Sequence, residues 1–448
     1  MGVEHFLAGF RSHSSGEAIV WRDNVYSYEW LLEEVTRRRA QLEDKGVDEG
    51  SVVSLEADFS PAAVAMLLAL WERRTIVVPL TKGVASKSPE RCTVAQVEMR
   101  IEISGDEQVT IVRTGSRVDH ELFGRLRSMG HPGLVLFTSG STGTSKAVLH
   151  DAALLLERYR SPRKAYRILS FLLFDHIGGI NTLLHTLANA GSVVTIPDRS
   201  PETVCQAIER YNVEVLPTSP TFLTLLLMSE AYTRYDLSSL QLVTYGTEVM
   251  PVSTLRRLHS LFSHLRLQQT YGLSEIGILH SHSKAPDSVW VSLGGDGFET
   301  RVVDGILEIR ARSAMLGYLN APSPFTSDGW LRTGDVVEVE GGFFRILGRT
   351  SEIINVGGEK VYPVEVENVL QSMQGVEEAT VHAESNPITG QIVVASVKLT
   401  TGESLGNFRM RMRVFCKGKL KSFQIPQKVI LADRPSYGER FKKIRCLA

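Results

Sequence analysis

The 448-residue chain is poor in cysteine: Cys92, Cys205, Cys416 and Cys446 are scattered, and none forms a C-x-x-C pair. That spacing excludes a disulfide framework and an ordinary thiolate zinc site. Net charge is nearly absent, with 49 Lys and Arg against 50 Asp and Glu, so no global field favours nucleic acid or an anionic membrane. Long apolar runs are missing, which excludes a bilayer-spanning helix. No N-x-[ST] acceptor occurs, and the opening MGVEHFLAGF has neither the basic flank nor the apolar stretch of a secretion signal. A soluble, cytoplasmic protein is the expectation. His280 and His282 stand too far from other ligand types to suggest a metal centre.

What is present is a chain that is 43% hydrophobic, enough for a large core divided among about two to three domains. Its first part alternates helical and strand patterns. Residues 27–47 read as an amphipathic helix with a Ser cap and a Gly stop. VVSLEA, TIVVPL, AYRILSFLLF, SVVTIP, VEVLPTSP and LQLVTYG read as strands, separated by helices such as PAAVAMLLALWERR and INTLLHTLANAG. Strands joined by helices imply parallel sheets with both faces covered, and place a site on loops at the strand carboxyl ends. Beyond about residue 290, short strands and glycine turns dominate. After Gly348–Arg349 comes a small α+β unit. The expected fold is therefore α/β, with parallel-rich sheets, flanking helices and a small β-rich subdomain in residues 1–348. Residues 352–448 form a small separate α+β unit.

FTSGSTGTSKAVLHD (137–151) asks for more than a turn. Thr138, Ser139, Gly140, Ser141, Thr142, Gly143, Thr144 and Ser145 precede a single Lys146. Small residues permit close backbone approach, and clustered N–H groups, hydroxyls and a cation make an anion cradle suited to phosphate. The string lacks the Gly-Lys pair of a P-loop and the G-x-S-x-G of a nucleophile elbow. Four more stretches follow in order: YGTE (245–248), YGLSE (271–275), GWLRTGDV (329–336) and GRTSEIINVGGEKVYPVEVE (348–367). Together they resemble the adenylate-forming superfamily of acyl-CoA synthetases, peptide-synthetase adenylation domains and luciferases, over nearly the whole chain.

The resemblance implies that a carboxylate attacks the α-phosphate of ATP, giving an acyl-adenylate and pyrophosphate. A thiol of coenzyme A, or of a carrier protein's phosphopantetheine, then displaces AMP. Joining two anions requires fixed positive charge and aimed donors. By this resemblance Thr138 to Lys146 hold the outer phosphates, and Thr138 with Glu275 ligates Mg2+. Gly246, Thr247 and Glu248 form the adenine-side loop, where Tyr245 departs from the usual small residue. Tyr271 packs on adenine beside Gly272, and Ser274 stands where Thr is usual. Asp335 accepts the ribose hydroxyls, an apt role for an acceptor-only group, and Arg349 approaches the same sugar. His176 in FLLFDHIGG gates the acyl pocket. Asp175 beside it either orients the imidazole or meets a polar group on the substrate.

A lid that rotates reconciles two demands on one site, namely holding a pentavalent phosphate and then admitting a pantetheine arm. The resemblance implies that residues 352–448 are a mobile lid hinged at about 349–351, with the hinge position at Ser351, where Asp or Lys is usual. Gly357 and Gly358 correspond to the loop lining the thiol tunnel. The adenylating lysine belongs near the C-terminus, where RPSYGERFKKIRCLA lacks the family's Gly-Lys pair. Counting back from Arg445 favours Lys442, and matching "KI" favours Lys443. The basic run 409–421 reads as a solvated helix face. The leading expectation is an acid–coenzyme A ligase acting on a small carboxylic acid, aryl or alkyl. A stand-alone enzyme loading a carrier protein, and a degenerate ligase homologue that only binds nucleotide, are the alternatives.

Overall fold

The computed structural model describes residues 2–82, 88–138, 145–295, 297–400, 402–432, 436–438 and 440–445. Local chemistry sets the early helices. Ser27 caps the helix Tyr28–Asp44 by accepting from the Trp30 N–H at 3.1 Å, and Ser60 caps Pro61–Glu72, which carries Pro at its start. The second of these is buried on every side from Pro61 to Trp71, as its uninterrupted apolar sequence demands.

Two seven-stranded sheets build the large part. One runs Arg266–Gln269, Leu242–Tyr245, Val215–Thr218, Arg167–Leu169, Ser192–Val194, Glu17–Trp21 and Asn24–Ser27, all parallel until the last hairpin. The other runs Gly317–Tyr318, Lys146–Asp151, Gly133–Thr138, Ile76–Leu80, Val52–Glu56, Met99–Ile103 and Val109–Arg113. Its centre is parallel and its edges antiparallel. The sheets are thus mixed rather than uniformly parallel, because three of the connections are direct hairpins without a crossover helix. A six-stranded antiparallel sheet spans residues 280–349.

Residues 354–431 form a last sheet with the helices Pro363–Gln371 and Leu405–Cys416, around a core of their own that includes Val361, Val366, Val381, Val393 and Phe408. The turn Thr350–Glu352 joins this unit to the six-stranded sheet.

One sequence expectation fails instructively. AYRILSFLLF supplies only a three-residue strand, Arg167–Leu169. The following residues leave the sheet, and Phe171, Leu172 and Leu173 turn over a cleft before the helix Ile177–Ala188 begins. The pair Gly178–Gly179 makes that turn possible. A Cβ on Gly179 would collide with the Leu172 and Leu173 carbonyls, and one on Gly178 would lie 2.7 Å from the Leu172 side chain. Gly179→Ala is expected to cost about 1–3 kcal/mol of stability, read as an earlier urea midpoint. An unchanged midpoint would contradict this packing.

Candidate functional site

The cleft that these elements enclose has a volume of about 380 Å³ and lies at the strand carboxyl ends. Thr138 and Lys146 stand on its wall and face each other across the antiparallel register of their strands. The expected phosphate loop between them, Ser139, Gly140, Ser141, Thr142, Gly143 and Thr144, lies outside the described residues, but its two ends are fixed. Asn320 accepts from the Ala147 N–H and donates to the Ser145 carbonyl, both at 2.9 Å. The Lys146 ammonium sits 5.0 Å from the Tyr318 ring centre, and the Tyr318 hydroxyl donates to Glu275 at 2.6 Å. Thr138 and Glu275 therefore offer a hydroxyl and a carboxylate to one space. No cluster of three or more His, Cys, Asp or Glu able to hold a metal occurs among the described residues. A hard cation sharing its shell with substrate phosphates fits that donor set; a dedicated protein cage does not.

A narrow crevice opens off the cleft, bounded by Thr247, Glu248, Tyr271, Gly272, Asp335, Arg349 and Lys442. The Tyr271 hydroxyl donates to Asp335 at 2.5 Å, and Arg349 pairs with the other carboxylate oxygen at 3.2 Å. Burial raises the Asp335 pKa despite Arg349 and Tyr271. Backbone geometry is tight here. A Cβ on Gly246 would come within 2.7 Å of Thr270 atoms, and one on Gly272 within 2.7 Å of the Gly277 carbonyl. Thr247 adopts a φ of 72°, a strained value for a β-branched residue and one that collects at functional loops. Tyr245, the departure noted in the sequence, points away into the core and is 1% exposed. Ser274 lines the cleft, and its carbonyl accepts from the buried His150.

Across the cleft stands a hairpin from the C-terminal unit. Its arms are tied by Gly438 N–H to Lys442 O at 3.2 Å and Ile444 N–H to Ser436 O at 2.8 Å. Its tip enters the large domain. Arg440 pairs with Asp175 at 2.8 Å, joined by Arg91 at 3.5 Å, and Asp175 is 2% exposed. The Phe441 ring lies against Phe171 and Phe222 with centres 5.4 and 5.6 Å away. Ser219 donates to the Phe441 carbonyl at 2.7 Å. Lys442 follows directly and lines both cleft and crevice. Burial, then Arg349, lowers its pKa, opposed by Glu248, Glu352 and Asp335.

Residues 8–305 match the AMP-binding enzyme family, and residues 365–437 match that family's C-terminal domain. The chain belongs to the AMP-binding enzyme family. Among curated relatives, a 3-[(3aS,4S,7aS)-7a-methyl-1,5-dioxo-octahydro-1H-inden-4-yl]propanoyl:CoA ligase of Rhodococcus jostii is 30% identical over 67% of this chain and 61% of its own. An indoleacetate–CoA ligase of Aromatoleum aromaticum is 28% identical over 67% of this chain and 64% of its own. The matched region thus spans under two thirds of either relative. Among solved structures, ATP-bound MatB from Rhodopseudomonas palustris superposes with a TM-score of 0.83 at 22% identity, covering 98% of this chain and 97% of its own. The apo form of MatB gives 0.71. The anthranilate CoA ligase AuaEII with anthranoyl-AMP gives 0.82 at 19% identity, over 99% of this chain and 95% of its own.

Within this family member the expected site residues separate into two groups. Thr138, Lys146, His176, Gly246, Thr247, Tyr271, Gly272, Ser274, Glu275, Asp335, Arg349 and Lys442 converge on the cleft and its crevice. Lys443 turns away to Glu367 at 3.3 Å, inside the C-terminal unit. Burial would raise the Glu367 pKa, but Lys443 and Arg445 outweigh it and hold it at about 2. The Glu248 carboxylate accepts from the Thr221 and Lys443 backbone N–H groups, so it joins the two units. Gly357 and Gly358, with φ of 61° and 92°, lie off the cleft; Gly358 lines a separate groove between the units. Sequence reasoning missed Tyr318, Asn320, Arg199 and Arg440. GYLN carries no motif of its own, and Arg440 stands at a place where the expected pattern restricts no residue type.

His176 caps the helix it precedes: its Nδ1 accepts from the Gly178 N–H at 3.0 Å, which leaves the ring neutral with the proton on Nε2. Burial, then Arg440 and Lys442, lowers its pKa from 6.5 to about 3; burial, Arg163 and His280 take His185 to about 4. Between those values and 6.5 the unfolded chain binds protons that the folded chain refuses, so stability falls as pH drops through that window. The expected urea midpoint is lower at pH 5 than at pH 7, and His176→Asn, which keeps the cap, should reduce the difference. An unaltered pH dependence in the variant would contradict the burial of a neutral imidazole.

Proposed function

We propose that the chain is an acid–thiol ligase that converts a carboxylic acid to its acyl-adenylate with ATP and transfers the acyl group to coenzyme A. The observation that carries the reading is the placement of Lys442 in a cleft shared with Thr138, Glu275 and Arg349. Arg349 also reaches the crevice that holds Asp335. Lys442 brings a cation to where an acid oxygen attacks the α-phosphorus and pyrophosphate departs. Its depressed pKa rises again once anions fill the cleft, since nearby negative charge favours the protonated form. Thr138 and Lys146 face the outer phosphates, while Asp335 accepts from the ribose hydroxyls. Mg2+, held by Thr138 and Glu275 together with the phosphates, would neutralise the pyrophosphate. The better superposition on the ATP-bound relative supports reading this lid pose as the adenylating one.

Thioester formation needs the same carbonyl to meet a thiol, so the C-terminal unit must turn about 349–351 and bring Gly357 and Gly358 to the cleft. The groove between the units is lined by Arg345, Lys360, Lys419 and Lys421 beside Glu359 and Glu365. Its cations suit a phosphate-bearing pantetheine arm, free or protein-borne. The carrier-loading reading therefore stands second.

The test is mass detection of AMP and acyl thioester from ATP, Mg2+ and an acid panel, with coenzyme A or a pantetheinylated carrier. The panel should include indole-acetic and bicyclic propanoic acids, the groups in the two relatives' names. Lys442→Ala is expected to lower adenylate formation by about 100-fold or more, as for loss of one transition-state electrostatic contact, while still consuming supplied acyl-AMP. Lys443→Ala should instead act through stability. The reverse pattern would make Lys443 the adenylating residue. AMP without thioester from either acceptor would overturn the transfer step, and no AMP from any acid would leave a nucleotide-binding homologue.

A further inference from the structure

A second space of about 640 Å³ lies on one face of the parallel sheet. Its floor is made of alternate residues of adjacent strands: Val215 and Pro217, Leu242 and Thr244, and Gln268. Ile168, Val215 and Leu242 form a small apolar cluster of their own with Tyr166 beside it. At the strand carboxyl ends Pro217, Thr244, Thr270 and Ile278 line both this groove and the reaction cleft. From there the groove runs back along the strands. Thr270 and Arg266 are four residues apart, about 13 Å at ~3.3 Å per residue.

The far end is basic. Arg158, Arg163, Lys164, Arg266 and Lys284 line the groove with His185, His280 and His282, and no Asp or Glu is among the described lining residues. Arg158 is committed to the wall, donating to the Ile278 carbonyl and stacking on Phe298. Lys284 pairs with Glu340 outside. Among the described residues Lys164 meets the neutral Gln241 amide, at 3.1 Å, and the Tyr166 ring. Gln241 passes on to Glu214, which also accepts from the Arg167 N–H and is not part of the lining. Arg163 faces the His280 ring, and neither it nor Arg266 has a carboxylate partner among the described residues. Both are exposed at the mouth. The depressed pKa of His185, to which Arg163 and His280 contribute, agrees with a local positive potential.

We infer that this groove takes the body of the acid substrate and that Arg163, Lys164 and Arg266 bind a second anionic group at its far end. The inference rests on the ligase reading and narrows it. The preferred acids are dianions, with one carboxylate at the reaction cleft, an apolar middle on the strand floor and a second carboxylate or like group at the basic end. A wholly apolar tail would leave three cations without counter-charge, whereas a charge-assisted contact strengthens binding.

The test compares suberic, sebacic and dodecanedioic acids with their monomethyl esters and with monocarboxylic acids of equal length, in AMP release by the intact protein. One diacid is expected to exceed its monoester in kcat/KM by about tenfold or more, the scale of a hydrogen bond to a charged group. In Arg163→Gln/Arg266→Gln that ratio should collapse through KM, with kcat within about twofold. Monoacids turned over without any diacid preference would overturn this inference and leave the ligase reading standing. Inhibition by the diacid that is not competitive with a turned-over monoacid would make the groove a separate effector site and overturn it too. Calorimetric titration of each of the three diacids without ATP keeps the test decisive if turnover is absent. Binding weakened about tenfold in the double variant supports the groove; equal or absent binding contradicts it.

Discussion

One ion pair between the two folded units governs the geometry described above. Asp175 is buried in the large domain beside His176, and it receives Arg440 from the C-terminal hairpin as well as Arg91 from its own side. Breaking a buried pair by removing one partner costs several kcal/mol, because the remaining charge stays desolvated. The pair therefore specifies one docked position for the hairpin tip. Phe441 fills the aromatic gap between Phe171 and Phe222, and the next residue, Lys442, is delivered to the cleft. Chemistry that depends on a cation from one unit and phosphate contacts from another needs such a registration.

The same arrangement departs from what a small, flexible tip would give. Phe441 adopts a φ of 48°, a left-handed value that glycine adopts freely and an aromatic residue adopts at a cost. Ring packing and the Ser219 hydrogen bond to its carbonyl hold it there. With Lys442 as the lysine of the expected Gly-Lys pair, Phe441 stands in the glycine's place, and its ring docks the turn against Phe171 and Phe222.

Much of the fold was legible because periodicity and caps coincide with the elements. Ser27, Ser60 and Ser200 each open the helix that the pattern suggests. SFLLF misled because an apolar run records burial without saying whether strand or loop does the burying. The hairpin edges were also missed, since a direct turn and a helical crossover leave similar strand patterns. At the cleft, the motif strings marked residues that the structure brings together on strand ends and the loops beside them. Tyr318, Asn320 and Arg440 were not marked, because their roles exist only through partners distant in the chain: Glu275, Ser145 and Asp175. Sequence also left Lys442 and Lys443 undivided; in the structure Lys442 lines the cleft and Lys443 pairs with Glu367.

The described residues include no helix long and apolar enough to cross a membrane. In the proposed reading, function rests on the cleft and on the hairpin that reaches it. The most direct measurement is exchange of labelled pyrophosphate into ATP by the folded wild-type protein, with Mg2+ and each acid in turn. Exchange that appears only when an acid is present, and grows with its concentration, is the predicted result. Folded protein that binds ATP yet gives no exchange with any acid would contradict a cleft built to adenylate.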